Sequence, residues 1–210
     1  MIKKKRRLKT WPIILLFCIV IFGILIFCVV DVINSLKGKN TKEIKILNTI
    51  ESYNYTLNEN DSAYVSAVFE KLKGELENDI IDEEKYAKFV TQMFIADFYT
   101  LNSSVNKNDV GGIQFVYEEY RKDFLSSAKD TVYRYVENNI YNDRTQILPV
   151  VSDVEITNIE QKLYNSNKVT DGKAFYVTAN ISYKEELDYP TNVSLVLVHN
   201  NKKLEVAVMK

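Results

Sequence analysis

The sequence predicts an α+β protein, in which one N-terminal transmembrane helix is followed by helices packed on one face of a curved antiparallel sheet. Three patterns lead to this fold class: an uncharged apolar run at 11–30, apolar residues at helical spacing between 62 and 138, and alternating apolar and polar residues after Arg144. Helical segments that precede consecutive strands are typical of α+β folds. The roughly 180 residues after the run suffice for one hydrophobic core, so residues 45–210 are expected to form one domain.

The apolar run at 11–30 is long enough to span a membrane, since twenty helical residues rise about 30 Å, the thickness of the bilayer core. A cleaved signal requires small residues after the apolar region, and a lipoprotein signal requires one just before the lipidated cysteine. The large residues Phe17 and Phe27 precede the two cysteines, Cys18 and Cys28. The run is therefore predicted to be an uncleaved signal-anchor in the lipid bilayer.

Charge on the two sides of the run predicts the orientation of this single-pass chain. Residues 1–10 carry six Lys and Arg and no acidic residue, whereas residues 31–44 mix lysines with acidic residues. The positive-inside rule makes residues 1–10 a basic cytoplasmic tail, residues 31–44 a linker and residues 45–210 an extracytoplasmic domain of the cell membrane. Cations beside a spanning helix usually act as topology signals and contact anionic lipids. These two roles are therefore favoured over nucleic-acid binding for residues 1–10.

Composition restricts the partners of the predicted domain. Six of the 27 Lys and Arg residues and none of the 28 Asp and Glu residues precede residue 31, so the remainder has a net charge of −7. An acidic domain disfavours nucleic acid as a partner. Both cysteines lie in the apolar run, so no disulfide framework is expected and a hydrophobic core must supply the stability.

The first half of the predicted domain is mainly helical. The domain begins with a short apolar-periodic piece at 44–50. An alternating segment at 52–57 follows and is predicted to be a strand. Ser62, together with the two residues before it, then offers an N-cap for the first helix. Asp82 offers a second N-cap, and a break at 103–112 ends the second helix. The inward faces of the two helices are expected to be Val65, Val68, Phe69, Leu72 and Leu76, and Tyr86, Phe89, Val90, Met93, Phe94 and Phe98.

A third helical region, either continuous or in two pieces, is predicted over 115–138, and strands are predicted after it. The period changes at Arg144, and Pro149 marks the entry to the strands, because proline interrupts a helix. Turns are expected at 169–173 and 199–203. The inward residues of the third helix are expected to be Phe124, Val132, Tyr135 and Val136. The inward residues of the first two strands are expected to be Val150, Val154 and Ile156, and Phe175, Val177, Ala179, Ile181 and Tyr183.

This order of elements resembles the NTF2-like cone fold, and the closing stretch "LVLVHNNKKLEVAVMK" (195–210) is similar to the final hairpin of that fold. A basic cytoplasmic tail, one span and an exported NTF2-like domain resemble the VirB8-like proteins of type IV secretion and conjugation machines. The stretches "MFIADFYTLNSSVNKNDVGGIQFV" (93–116), "YRYVENN" (133–139) and "LPVV" (148–151) are similar to uncharacterised single-pass proteins of low-GC Gram-positive bacteria. The early strand and the helix after it depart from the cone pattern, and no functional residue is carried over.

Residues that could carry chemistry are few, and no catalytic, cofactor-binding or metal site is predicted. The one histidine, His199, falls in a predicted turn, where it is expected to be solvated. The glycines of "DVGG" (109–112) lack a phosphate-loop pattern and favour a tight turn. Asp97 lies on the aromatic stripe beside Phe94 and Phe98, where it could line a pocket as a general base with a raised pKa. The favoured alternative places Asp97 at the edge of the stripe, facing water or a lysine.

Fourteen tyrosines offer side chains that suit half-buried positions and interfaces. Tyr176 is expected on the sheet face opposite Phe175, and Tyr117 and Tyr120 lie near the start of the third helical region. These three tyrosines are predicted as a partner surface. The sequence thus indicates a non-enzymatic binding or assembly module, with other envelope proteins as partners and room for an oligomer. The alternatives are a small-ligand binder or enzyme that uses a cone cavity, and a surface protein anchored for display.

Overall fold

The structure, a computed structural model, describes residues 45–210. These residues form two antiparallel sheets and three α-helices. This architecture confirms the α+β class. The predicted tail, membrane helix and linker lie outside these residues, and no helix within 45–210 is long and apolar enough to cross a membrane. The elements are β1 (Ile46–Ile50), β2 (Tyr55–Asn58), α1 (Ala63–Leu76), α2 (Glu83–Tyr99), 3-10 turns at Leu101–Ser103, Ile113–Phe115 and Glu118–Tyr120, α3 (Arg121–Asp130), β3 (Val151–Asn165), β4 (Thr170–Tyr183), β5 (Asn192–Asn200) and β6 (Lys203–Met209).

The larger sheet contains four consecutive antiparallel strands in the order β3-β4-β5-β6, and β1 pairs with β2 in a separate hairpin. The turn between β5 and β6 contains Asn201 at φ 57°, a left-handed conformation that asparagine tolerates. At the outer edge of β6, the amide of Tyr117 donates to the Val206 carbonyl at 2.9 Å. One edge of the sheet is therefore covered by the segment that leads into α3.

Both predicted helix caps are present. The Ser62 hydroxyl accepts from the Val65 amide at 3.2 Å, and the Asp82 carboxylate accepts from the first amides of α2. Helix α2 crosses one face of the sheet, and the Gln92 side chain donates to the Val154 carbonyl of β3 at 2.9 Å. The core between helices and sheet includes Phe69, Leu72, Tyr86, Phe94, Phe98, Val177, Leu195 and Leu197.

The third helix differs from the prediction, because only Arg121–Asp130 of the region 115–138 is α-helical. After Asp130 the chain turns so that the side chain of Tyr133 is fully buried, and its hydroxyl donates to the Phe98 carbonyl at 2.6 Å. Tyr135, which was expected to face inward, is 72 % exposed. The prediction fails there because a contact with α2, and not helical periodicity, directs the chain after Asp130.

The apolar-periodic piece at 44–50, for which no element was predicted, contains strand β1, which pairs with β2. Two smaller expectations are wrong. Val151, and not Val150, is buried at the start of β3, and the register shifts between Val151 and Asp153. The turn before β4 precedes 169–173, because the Ser166 hydroxyl accepts from the amides of the two residues just before β4, at 3.2 and 3.1 Å.

Candidate functional site

His199 lies in β5 instead of in a solvated turn, and it contacts two carboxylates. Its Nδ1 is 2.8 Å from Oδ2 of Asp171, which also accepts from the His199 amide at 2.8 Å. Its Nε2 is 3.5 Å from Oε2 of Glu83, at the start of α2. Sequence reasoning missed this group because no local spacing links the three residues, which only the packing of α2 on the sheet brings together.

The carboxylate of Asp171 is held ionised by its surroundings. Burial alone would raise the pKa of Asp171, but hydrogen bonds from the amides of His199 and Lys173 and from the imidazole outweigh burial and lower the pKa. Both ring nitrogens of His199 face a carboxylate oxygen, Nδ1 that of Asp171 and Nε2 that of Glu83. The group therefore links the start of α2 to strands β4 and β5.

An open depression of about 300 Å³ lies beside this group. Two of its carboxylates are already paired, Asp82 with Lys85 and Glu160 with Lys162. No cluster of three or more potential metal ligands is present in residues 45–210. The depression is lined by Asp82, Glu83, Glu84, Ile159, Glu160, Gln161 and Phe175.

Asp97 holds the loop that contains the two glycines. Its Oδ2 accepts from the Gly112 amide at 2.8 Å, and Gly112 adopts φ 76°. The Gly111 amide donates to the Tyr133 hydroxyl at 3.0 Å. The predicted tight turn at "DVGG" is thus confirmed, and the Oδ2 atom of Asp97 accepts a hydrogen bond within the domain.

The aromatic neighbours of Asp97 pack against one another. The rings of Phe94 and Phe98 are stacked with centroids 5.8 Å apart, and Phe124 packs against both rings. Phe94 and Phe98 are fully buried, whereas Asp97 is half-buried. Neither the depression beside His199 nor a second one beside the β4–β5 turn is lined by these three predicted pocket residues.

The environment of Asp97 favours its neutral form. Burial raises the pKa of Asp97 to about 7, and the charges of Asp61 and Asp109 add to this shift, while the hydrogen bond from Gly112 opposes it. The unfolded chain would titrate near the ordinary value of about 3.9. Between these two values the folded state binds more protons than the unfolded state, so this carboxyl makes the domain less stable as pH rises from about 4 to about 7.

We expect Asp97→Asn to remove that part of the pH dependence. Asparagine keeps an oxygen that can accept from the Gly112 amide but has no titratable proton. The measurement is the free energy of unfolding of the full chain in mild detergent between about pH 4 and pH 8. The decline toward neutral pH should be smaller in Asp97→Asn than in the wild-type chain, and identical slopes would contradict the assigned environment.

The three tyrosines predicted as a partner surface lie near one another. The rings of Tyr117 and Tyr120 are 5.9 Å apart between centroids, and the Tyr120 hydroxyl is 2.7 Å from the Ser166 hydroxyl. Tyr176 and Tyr117 pack on a second apolar cluster that contains Ala174, Val196 and Val198 and is separate from the main core. Because side chains alternate along a strand, this cluster lies on the sheet face opposite α2.

A fourth tyrosine, Tyr164 of β3, packs on the same cluster and was missed in the sequence, where it lacks a clear alternating pattern. Two lysines approach these rings: Lys168 Nζ lies 4.6 Å from the Tyr120 centroid and Lys162 Nζ lies 5.9 Å from the Tyr176 centroid. All four tyrosines are half-buried. Tyr117, Tyr120, Tyr164 and Tyr176 are called the tyrosine face below.

A buried carboxylate supports the edge of this surface. Glu205 is 2 % exposed, and it accepts from the Asn200 side chain at 2.9 Å and contacts Lys203 and Arg121, each at 3.5 Å. Lys203 also donates to the Gln114 carbonyl at 2.8 Å. Burial lowers the pKa of Lys203, and the charge of Glu205 partly offsets that effect. These contacts hold the segment before α3 against β6.

No protein-family model, curated protein or solved structure matches this chain.

Proposed function

We propose that this chain is a membrane-anchored extracytoplasmic binding or assembly module, a component of an envelope complex of the secretion or conjugation type. The observation that carries the proposal is the tyrosine face. Tyrosine combines an apolar ring with a polar tip and is enriched in protein interfaces. Tyr117, Tyr164 and Tyr176 pack on the sheet face opposite α2, Tyr120 lies beside Tyr117, and these four half-buried tyrosines offer such an interface. The uncharged run at 11–30 supports the anchor.

The proposed fold is an NTF2-like, distantly VirB8-like, extracytoplasmic domain. Helices that precede four consecutive antiparallel strands, with α2 across one face, support this assignment. The β1–β2 hairpin before α1 departs from the simple cone pattern. A non-enzymatic role is supported by the use of Asp97 and His199 in contacts within the domain.

Photocrosslinking in native membranes tests the assembly role. A photoreactive phenylalanine analogue at position 176 should give a discrete adduct with the same envelope protein in repeated experiments. Position 180 is the matched control, because Asn180 is exposed four residues further along β4, on the same face. The adduct should form at position 176 and be absent at position 180.

A charged variant provides the second readout. Tyr176→Asp should release the partners during extraction in mild detergent, whereas Asn180→Asp should retain them, since a buried interface does not tolerate an unpaired charge. Recovery of the chain alone from wild-type membranes, with no adduct at position 176, would contradict the assembly role and favour a display protein or a ligand binder.

A further inference from the structure

Residue 45, where the chain enters the described domain, lies at the end of the domain where α2 stops. The direction in which strand β2 runs along the domain places residue 45 at this end. At its start, the Tyr55 hydroxyl is 2.8 Å from that of Tyr86, in the first turn of α2. At its other end, the Lys45 carbonyl accepts from the Glu59 amide at 2.9 Å. The next residues lead to α1, where the Tyr64 hydroxyl accepts from the Val154 amide of β3 at 3.1 Å. The start of β3 lies at the end of α2, because the Val151 amide donates to the Thr100 hydroxyl at 3.2 Å.

The segment 131–149 is attached to the same end. The Tyr133 hydroxyl donates to the Phe98 carbonyl, and the Asn139 amide donates to the Val105 carbonyl at 2.7 Å. The Arg144 guanidinium donates at 2.8 Å to two carbonyls of the loop that follows α2. The position of segment 131–149 is therefore set by hydrogen bonds from both of its halves.

Exposed apolar side chains are concentrated at this end. Of the eight large apolar side chains that are exposed within residues 45–210, six belong to the start of β1 or to segment 131–149. Tyr141 is the most exposed of these six, at 83 %. Monomeric proteins in water rarely expose several large apolar side chains at one end, so this concentration indicates a contact surface. The six residues, called the apolar end below, are Ile46, Leu47, Tyr135, Ile140, Tyr141 and Ile147.

We propose that the apolar end rests on the surface of the lipid bilayer, a contact that depends on the anchor in the proposed function. Fourteen linker residues, 31–44, reach at most about 50 Å when fully extended, so residue 45 lies no more than about 50 Å from the end of the apolar run. Tyrosine rings favour the headgroup level of a bilayer. Segment 131–149 contains two arginines and two acidic residues, so its own charge does not oppose approach to lipid.

The nearby β4–β5 turn determines which lipid suits this contact. It contains Glu185, Glu186 and Asp188 and lies near the same end, since Tyr183 pairs with Val151 at the start of β3. Three carboxylates would be repelled by anionic headgroups. The contact is therefore made by segment 131–149 and β1 on zwitterionic lipid, with the acidic turn kept in water.

Spin labels in the full chain test this arrangement. In a background with Cys18→Ser and Cys28→Ser, single cysteines are introduced as Tyr141→Cys and Ile147→Cys. Ile80→Cys is the control, because Ile80 is 88 % exposed and precedes the start of α2, at the opposite end. Each nitroxide is measured in phosphatidylcholine vesicles for collisions with oxygen, which partitions into lipid, and with a nickel chelate, which stays in water.

The labels at 141 and 147 should be several-fold less accessible to the nickel chelate, and more accessible to oxygen, than the label at 80. Equal accessibility at all three positions, in a chain that floats with the vesicles after an alkaline wash, would overturn the inference and leave the anchor intact. A chain that does not float would overturn the anchor and the inference with it. Circular dichroism verifies that each labelled chain is folded, and the two test positions provide independent readings.

Discussion

Gly111→Ala is expected to destabilise the domain by about 3 kcal/mol, because the added methyl group meets backbone atoms of a helix. A Cβ atom at position 111 would lie 2.3 Å from the Asp97 carbonyl oxygen and 2.9 Å from its carbonyl carbon. These atoms belong to α2 and cannot move without disturbing the helix. The loop would have to leave α2, and the bonds from Gly112 to Asp97 and from Gly111 to Tyr133 would be lost.

A second glycine provides the control. Gly74 lies in α1, is exposed, and has no atom within 4 Å of the place that an added methyl group would occupy, so Gly74→Ala should stabilise the domain by about 0.5–1 kcal/mol through helix propensity. Denaturant unfolding of the full chain in mild detergent, followed by circular dichroism, measures both changes. Wild-type stability of Gly111→Ala would show that the loop does not contact α2 as described.

Lys203→Met is expected to cost about 3 kcal/mol, since removing one partner leaves a buried charge less compensated. Glu205 would keep Asn200 and the more exposed Arg121 as partners. The Gln114 carbonyl would lose its donor, and the Lys203 ammonium, 4.7 Å from the centroid of the Tyr55 ring, would no longer contact that ring.

Two further variants separate the buried charge from general packing. Adding Glu205→Gln to Lys203→Met should give a double variant that is more stable than the sum of the single effects, because the uncompensated charge is gone. Lys85→Met, which removes an exposed pair with Asp82, should leave the unfolding midpoint unchanged. Additive effects in the double variant would show that Glu205 and Lys203 do not act as a pair.

Features that depend on neighbouring residues could be predicted from the sequence. Ser62 and Asp82 cap helices because a side-chain oxygen reaches an amide two or three residues ahead. The inward residues of β4 follow the strand period of two, and Phe175, Val177, Ala179 and Ile181 are indeed buried. Tyr176 could be placed on the opposite face for the same reason.

Features that depend on distant residues could not be predicted. Helix α3 ends early because Tyr133 contacts Phe98, and Tyr135 is exposed as a consequence. The contact of His199 with Asp171 and Glu83 joins two strands and a helix. The role of Asp97 was open in the sequence, since a carboxylate on an apolar stripe can face a pocket, water or, as here, a backbone amide.

Four features follow from the amino-acid sequence alone: the α+β order of elements, the two helix caps, the alternation of β4 and the long uncharged run near the N-terminus. Three others depend on how distant segments pack: the end of the third helix near Tyr133, the partners of His199 and Glu205, and the location of the exposed apolar side chains. The two groups differ in the distance along the chain over which the interactions act. Capping and periodicity act over a few residues, whereas burial and hydrogen bonding between distant segments depend on how the whole chain packs.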